Sequence, residues 1–267
     1  MRLSIDHRTT YRFSEPQVRV VQLLRMTPQN SYDQTVVSWH LSVDCNARTT
    51  RHRDGFGNAT TMLYCEGAID SIEIAVSGEV VTSHSSGVLR GASEPMPPAL
   101  FLRDTPVTAP DAAIRAFAEA ASAAADGSLA ALHRLNRAVH ERFTPIDTRP
   151  EAGLPATAAF TRATGTARDL AQIFIAAARA TGVPARYVTG YCDLTGTSHP
   201  TPHAWAEGYV DRLGWVGFDP TLGLSPEEHH VRVAIALDAA GAAPVAGSRL
   251  GEGEEMLDVA VTVMRED

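Results

Sequence analysis

The stretch ATGTARDLAQIFIAAARATGVPARYVTGY, residues 163–191, decides how the rest of the chain is read. Thr166 stands before an apolar run and Asp169 follows three residues later. That is the pattern of a capping box, so Thr166 is the expected N-cap and Ala167 the first helical residue. The run to Thr181 is almost wholly apolar, which predicts a helix buried nearly all round. Gly182, followed by Val183-Pro184, supplies the stop. The N-terminus of such a helix carries unpaired amides and the positive end of the dipole, which suits a thiolate. The residue at that place is Ala167, whose side chain is a methyl.

Downstream, ARYVTGYCD, PHAWAEGYV and GWVGFDPT read as strands. On the second of these, His203, Trp205 and Glu207 share one face, and Ala204, Ala206 and Gly208 the other. A three-residue loop, Asp211-Arg212-Leu213, with Gly214 left-handed, pairs Asp219 opposite Trp205. Asp219 is then diagonal to His203 on the same side of the hairpin; a four-residue loop would split them across its two faces. If the two meet, Asp219 accepts from one imidazole nitrogen and leaves the other free to act as a base.

Upstream, RLSIDHRTTYRF, TVVSWHLSVD, ATTMLYCEG and SIEIAVSGEVVTS alternate with period two, separated by turn chemistry such as RDGFGN at 53–58. Short strands at this spacing predict an antiparallel β-sandwich. Residues 86–109 carry four prolines and little periodicity and read as a surface connector. Helical periodicity covers 110–125 and 128–143, residues 144–162 look irregular, and HHVRVAIALD and EEMLDVAVTVMRE add strands at the end. The expected fold class is α+β, with an N-terminal sandwich over 1–85, a linker over 86–109 and a core over 110–267 that includes the C-terminal strands.

Among the 267 residues, 44% are hydrophobic, enough for a core. The net charge of −8 argues against nucleic acid as a partner. No apolar run is long enough to span a membrane, and the alternating N-terminus lacks the apolar stretch of a signal peptide. Cys45, Cys65 and Cys192 are odd in number and widely spaced. A cytoplasmic setting without a disulfide framework is the expectation.

Three motifs in this order resemble bacterial transglutaminase-like proteins of the papain-like cysteine-peptidase superfamily: GTARDLAQIFIAAARATGVPARYVTGY, HAWAEGYV and GWVGFDPT. HRTTYRFSEPQVRVVQLLRMTP and DGFGN are similar to that family's N-terminal β domain, and GAAPVAGSRLGEGEEMLDVAVTV to its ending. The resemblance implies a central helix packed on an antiparallel sheet and a Cys-His-Asp triad acting on peptide or isopeptide amides. The family opens its helix with Gly-x-Cys-(Gln/Arg)-Asp; Gly165, Arg168 and Asp169 match, the histidine falls on His203 and the acid on Asp219. The nucleophile falls on Ala167, where the match fails, through natural loss or an engineered Cys→Ala change. The amide of residue 167, which alanine retains, would donate to an oxyanion.

No cofactor and no metal are expected. His199 with His203, and His229-His230, lack a recognisable ligand spacing. Cys192 reads as a small buried apolar group rather than a replacement nucleophile. Trp205 and Trp215 read as packing residues, Tyr187 and Tyr191 as strand residues alternating with the core, and the 192–202 loop as a border of the cleft. The implied partner is a peptide or protein amide; a non-catalytic peptide-binding module is the alternative, and the oligomeric state is open.

Overall fold

The computed structural model describes residues 1–123, 125–194 and 198–266. The first sheet is built on two very long strands, β1 (Arg2–Leu24) and β4 (Ala59–Thr82), with β2 (Gln34–Val43) and β3 (Arg48–Arg53) between them in sequence. β1 and β4 pair antiparallel along most of their length, with register shifts between Arg12 and Arg19. Pro16 lies in that interval and cannot donate to a ladder, so the strand bends there. β2 pairs with one half of β4 and β3 with the other. Two-layer packing is thus reached with one bent six-stranded sheet in place of two separate ones. Both halves share a core of Val20, Leu24, Leu63, Ile72, Ile74 and Val76.

Next come α1 (Ala112–Ser122), α2 (Ser128–Arg142), β5 (Thr144–Pro145), α3 (Ala156–Phe160), β6 (Thr164–Gly165) and α4 (Ala167–Ala180). α4 begins with the expected capping box: the Thr166 hydroxyl accepts from the Asp169 amide, and Asp169 accepts from the Thr166 amide. Leu170 to Ala178 are all buried. A Cβ at Gly165 would come within 2.9 Å of Leu170 Cδ2, so the glycine allows the approach of β6 to the helix. Part of the expected helix over 110–125 falls on Ala124, outside the described residues.

The core sheet is antiparallel in the order β10 (His230–Ala236), β7 (Ala185–Cys192), β8 (His203–Val210), β9 (Gly214–Phe218). Ala185, Tyr187, Ala204 and Ala206 pack into the α4 cluster. Val188, Trp205, Trp215 and Ile235 face the other way. Phe101 closes that second face, fully buried. The 86–109 segment is therefore more than a surface linker: its proline-rich run carries an aromatic plug, a side chain whose burial outweighs the polar, irregular context.

The last strands, β11 (Val245–Leu250) and β12 (Glu255–Glu266), pair with β1. Residues 245–266 thus complete the N-terminal sheet, and the boundary that assigned 110–267 to the core moves accordingly. Their alternation marks them as strands, but it carries no information about which sheet they join. The two sheets meet through Leu3, Ile5, Val80, Tyr191, Val231 and Val261.

Candidate active site

The hairpin of β8 and β9 has the three-residue loop that the sequence implied. Val210 pairs with Gly214 and Ala206 with Phe218, a register that sets Asp219 opposite Trp205. Gly214 has φ +93°, as the turn requires. His203 Nε2 donates to Asp219 Oδ2 at 2.6 Å, and both side chains are buried. The other carboxylate oxygen accepts the amides of Thr221 at 2.8 Å and Leu222 at 3.4 Å. With its Nε2 protonated, a neutral His203 ring keeps a lone pair on Nδ1.

Ala167 and His203 line one cavity, with a volume of about 260 Å³, which is also bordered by Thr166, Tyr191 and Cys192. The capping box engages the amides of Thr166 and Asp169. The amides of Ala167 and Arg168, in the first helical turn, have no protein acceptor among the described residues. The site therefore offers a base held by an acid, two free N–H groups at a helix start, and a methyl that lines the same cavity. Of the 192–202 loop, residues 195–197 lie outside the described residues. His199 and Thr201 of that loop border the cavity. His199 is pinned there, pairing with Val261 of β12 through both backbone groups and with Asp147 Oδ2 at 2.7 Å.

Residues 115–220 match the model of the transglutaminase-like superfamily, and residues 3–81 match that of the bacterial transglutaminase-like N-terminal region. The core of the chain is a domain of the transglutaminase-like superfamily. An uncharacterized protein of Mycobacterium leprae is 24% identical across 99% of both chains. One from Mycobacterium tuberculosis H37Rv is 25% identical, covering 98% of this chain and 92% of its own. A crystal structure of a protein from Cytophaga hutchinsonii, provisionally named a cysteine protease, superposes with a TM-score of 0.77 at 20% identity. That match covers 100% of this chain and 92% of the other, and shows a shared fold.

The transglutaminase-like core holds one partner that the sequence reading missed. His230 Nε2 also donates to Asp219 Oδ2, at 3.0 Å. Burial pushes the Asp219 carboxyl up, but the two imidazoles more than reverse this and hold it well below the usual carboxylate range. Burial lowers the pKa of His230 itself, against the pull of Asp219. The signal for His230 was its alternation with Arg232 at the start of a strand, next to an exposed His229. Trp205 packs edge-on against the His230 ring at 5.3 Å between centroids.

Cys192 Sγ lies 3.5 Å from His230 Nε2. Ligand atoms of Cys192, His203 and His230 all fall within 4.8 Å of one another, a grouping that linear spacing did not reveal. The hydrogen bonds speak against metal ligation here. The Glu227 amide donates to His230 Nδ1 at 3.3 Å, so that ring carries its proton on Nε2, the atom that would have to face an ion. The same nitrogen serves both Cys192 and Asp219, so no second relay triad exists through this ring. Burial also pushes the Cys192 thiol far above its ordinary range, consistent with an inert group.

Proposed function

We propose that this chain is a transglutaminase-like cysteine peptidase or amidase scaffold whose nucleophile position is held by Ala167. As written, it binds a peptide or protein amide without turning it over. The observation that carries this reading is the 2.6 Å bond between His203 and Asp219, with the same imidazole lining the cavity that contains the Ala167 methyl.

In the reaction this arrangement suits, a thiolate on residue 167 attacks the amide carbonyl. His203 Nδ1 takes the thiol proton and later gives it to the leaving amine, and Asp219 holds the ring in the tautomer that makes this possible. The free amides at the start of α4 face the developing oxyanion. A methyl can form no acyl-enzyme, so only slow attack by water activated on His203 remains.

Ala167→Cys tests the assignment. The variant thiol should react with iodoacetamide well below pH 8, because the helix start and an adjacent imidazolium favour the thiolate. It should also form an acyl-enzyme with peptide amides or activated esters, visible as a mass increment. A thiol that reacts like free cysteine and never acylates would falsify the reading. The methyl itself favours the related view of the present chain as a peptide-binding module, in which complexes with peptides are stable and yield no product.

A further inference from the structure

His203 borders a second and larger cavity, with a volume of about 340 Å³, between the N-terminal sheet and the core. Thr9 and Tyr11 of β1 and Leu257 and Val259 of β12 form one wall; Gln172 and Tyr187 belong to the other. The bent sheet thus contributes directly to the surroundings of His203. Most of the lining is apolar or small.

The charges in this cavity are one-sided. Arg149 and Arg168 line it, and no Asp or Glu does, although the chain carries 31 acidic residues against 23 basic ones. Arg168 follows Ala167 directly. One of its terminal nitrogens is bonded to the Glu151 carbonyl and lies 3.2 Å from Asp169 Oδ1. Its Nε is buried and has no partner among the described residues. Asp169 forms an ion pair with this guanidinium while its second oxygen accepts from Thr166, which leaves the Nε edge of Arg168 as the unused donor. Arg149 Nη1 donates to the Leu257 carbonyl at 2.7 Å, and the side chain makes no ion pair among the described residues. Guanidinium groups with unused N–H donors at the edge of an apolar cavity are matched best by a carboxylate, which accepts two parallel N–H bonds.

We propose that this cavity binds a carboxylate on the substrate, so that the amide presented to His203 belongs to an acidic peptide. The carboxylate is either a free C-terminus or an acidic side chain close to the amide. The proposal rests on the peptide-amide reading above and names its substrate class. The apolar walls take the neighbouring aliphatic parts of the peptide, and the N-terminal sheet acts in recognition as well as in folding.

Binding to the intact chain can be followed by fluorescence anisotropy with three labelled peptides of one neutral sequence. One has a free C-terminal carboxylate, one is amidated, and one is amidated with a Glu beside the central amide. At least one acidic peptide should bind about tenfold or more tighter than the neutral one, and which of the two does so identifies the source of the carboxylate. In Arg149→Gln, a change at an exposed side chain, and in Arg168→Gln the preference should shrink to about twofold or less. Equal affinity for acidic and neutral peptides, an undiminished preference in both variants, or no binding at all overturns the proposal. Ala167→Cys separates the two claims. Acylation without acid preference removes the carboxylate site and keeps the cysteine chemistry; acid preference without acylation does the reverse.

Discussion

One face of the core sheet carries two buried carboxylates, each gripped by two basic side chains: Glu207 on β8 and Asp219 just past the end of β9. At one end Asp219 lies between His203 and His230. At the other, Glu207 lies between Arg186, at 2.6 Å, and Arg232, at 2.7 Å. Trp205 stands between His203 and Glu207 on β8, roughly 13 Å covering the span at the usual rise per residue. The frame is the same, and the partners differ. Arginine stays charged, so the Glu207 cluster is a fixed ionic clamp: Arg186 also binds Glu94 in the 86–109 segment at 2.5 and 2.8 Å, and stacks on Trp215 at 3.8 Å. Histidine can exchange its proton, so the Asp219 cluster keeps a base at the cavity edge. One arrangement holds the connector down, and the other leaves a nitrogen available for chemistry.

The sharpest way to break the comparison is Asp219→Asn in the Ala167→Cys background. An amide in place of the acid no longer fixes the imidazole tautomer, so acylation should slow by about 10⁴-fold while the fold persists. Single-turnover kinetics beside circular dichroism would measure this; an unchanged rate would dissolve the functional half of the contrast. Glu207→Gln should do the opposite, lowering stability by about 3–5 kcal/mol because Arg232 loses its anion and Arg186 keeps only Glu94. Denaturant unfolding measures that loss, and an effect no larger than that of an exposed substitution would show the clamp to be idle.

Acid should separate the clusters more gently. Burial lowers the pKa of His230 in the fold, while the unfolded chain takes up a proton near pH 6.5. The unfolded state then binds more protons, so the contribution of His230 to stability declines as pH falls below 6.5. Glu207 contributes fully above its unfolded value of 4.5. Burial alone would raise its pKa, but Arg232 and Arg186 bring it to about 2, so its share is lost only as pH falls from 4.5 toward 2. Melting curves from pH 7 to 3 should lose height first below 6.5, and a His230→Asn variant should show a shallower first decline, the remainder coming from His7, whose burial lowers its pKa to about 3. A variant that declines in parallel with the parent would contradict the assignment.

What could be read from the sequence was whatever a short segment determines by itself. Thr166 and Asp169 form their capping box within one helical turn. Gly214 and the three residues before it set the register that brings Asp219 to His203. What could not be read depended on distant pairing. Alternation told that His230 and Arg232 lie on one face of a strand, but only the pairing of β10 with β7 brings them to Asp219 and Glu207. Arg186 and Phe101 were hidden for a related reason. An arginine in a strand and a phenylalanine in a proline-rich run look exposed until their partners are known, and here both are fully buried.

The pairing of β1 with β12 has a consequence for how the molecule is made. Arg2 stands opposite Glu266 and Phe13 opposite Glu255, so the first strand to emerge waits for the last. At about 5–20 residues per second, that interval is on the order of tens of seconds during translation. Throughout it the nascent chain shows an unfilled edge to every chaperone and neighbouring polypeptide, although the opposite edge of β1 finds β4 once residue 82 is made.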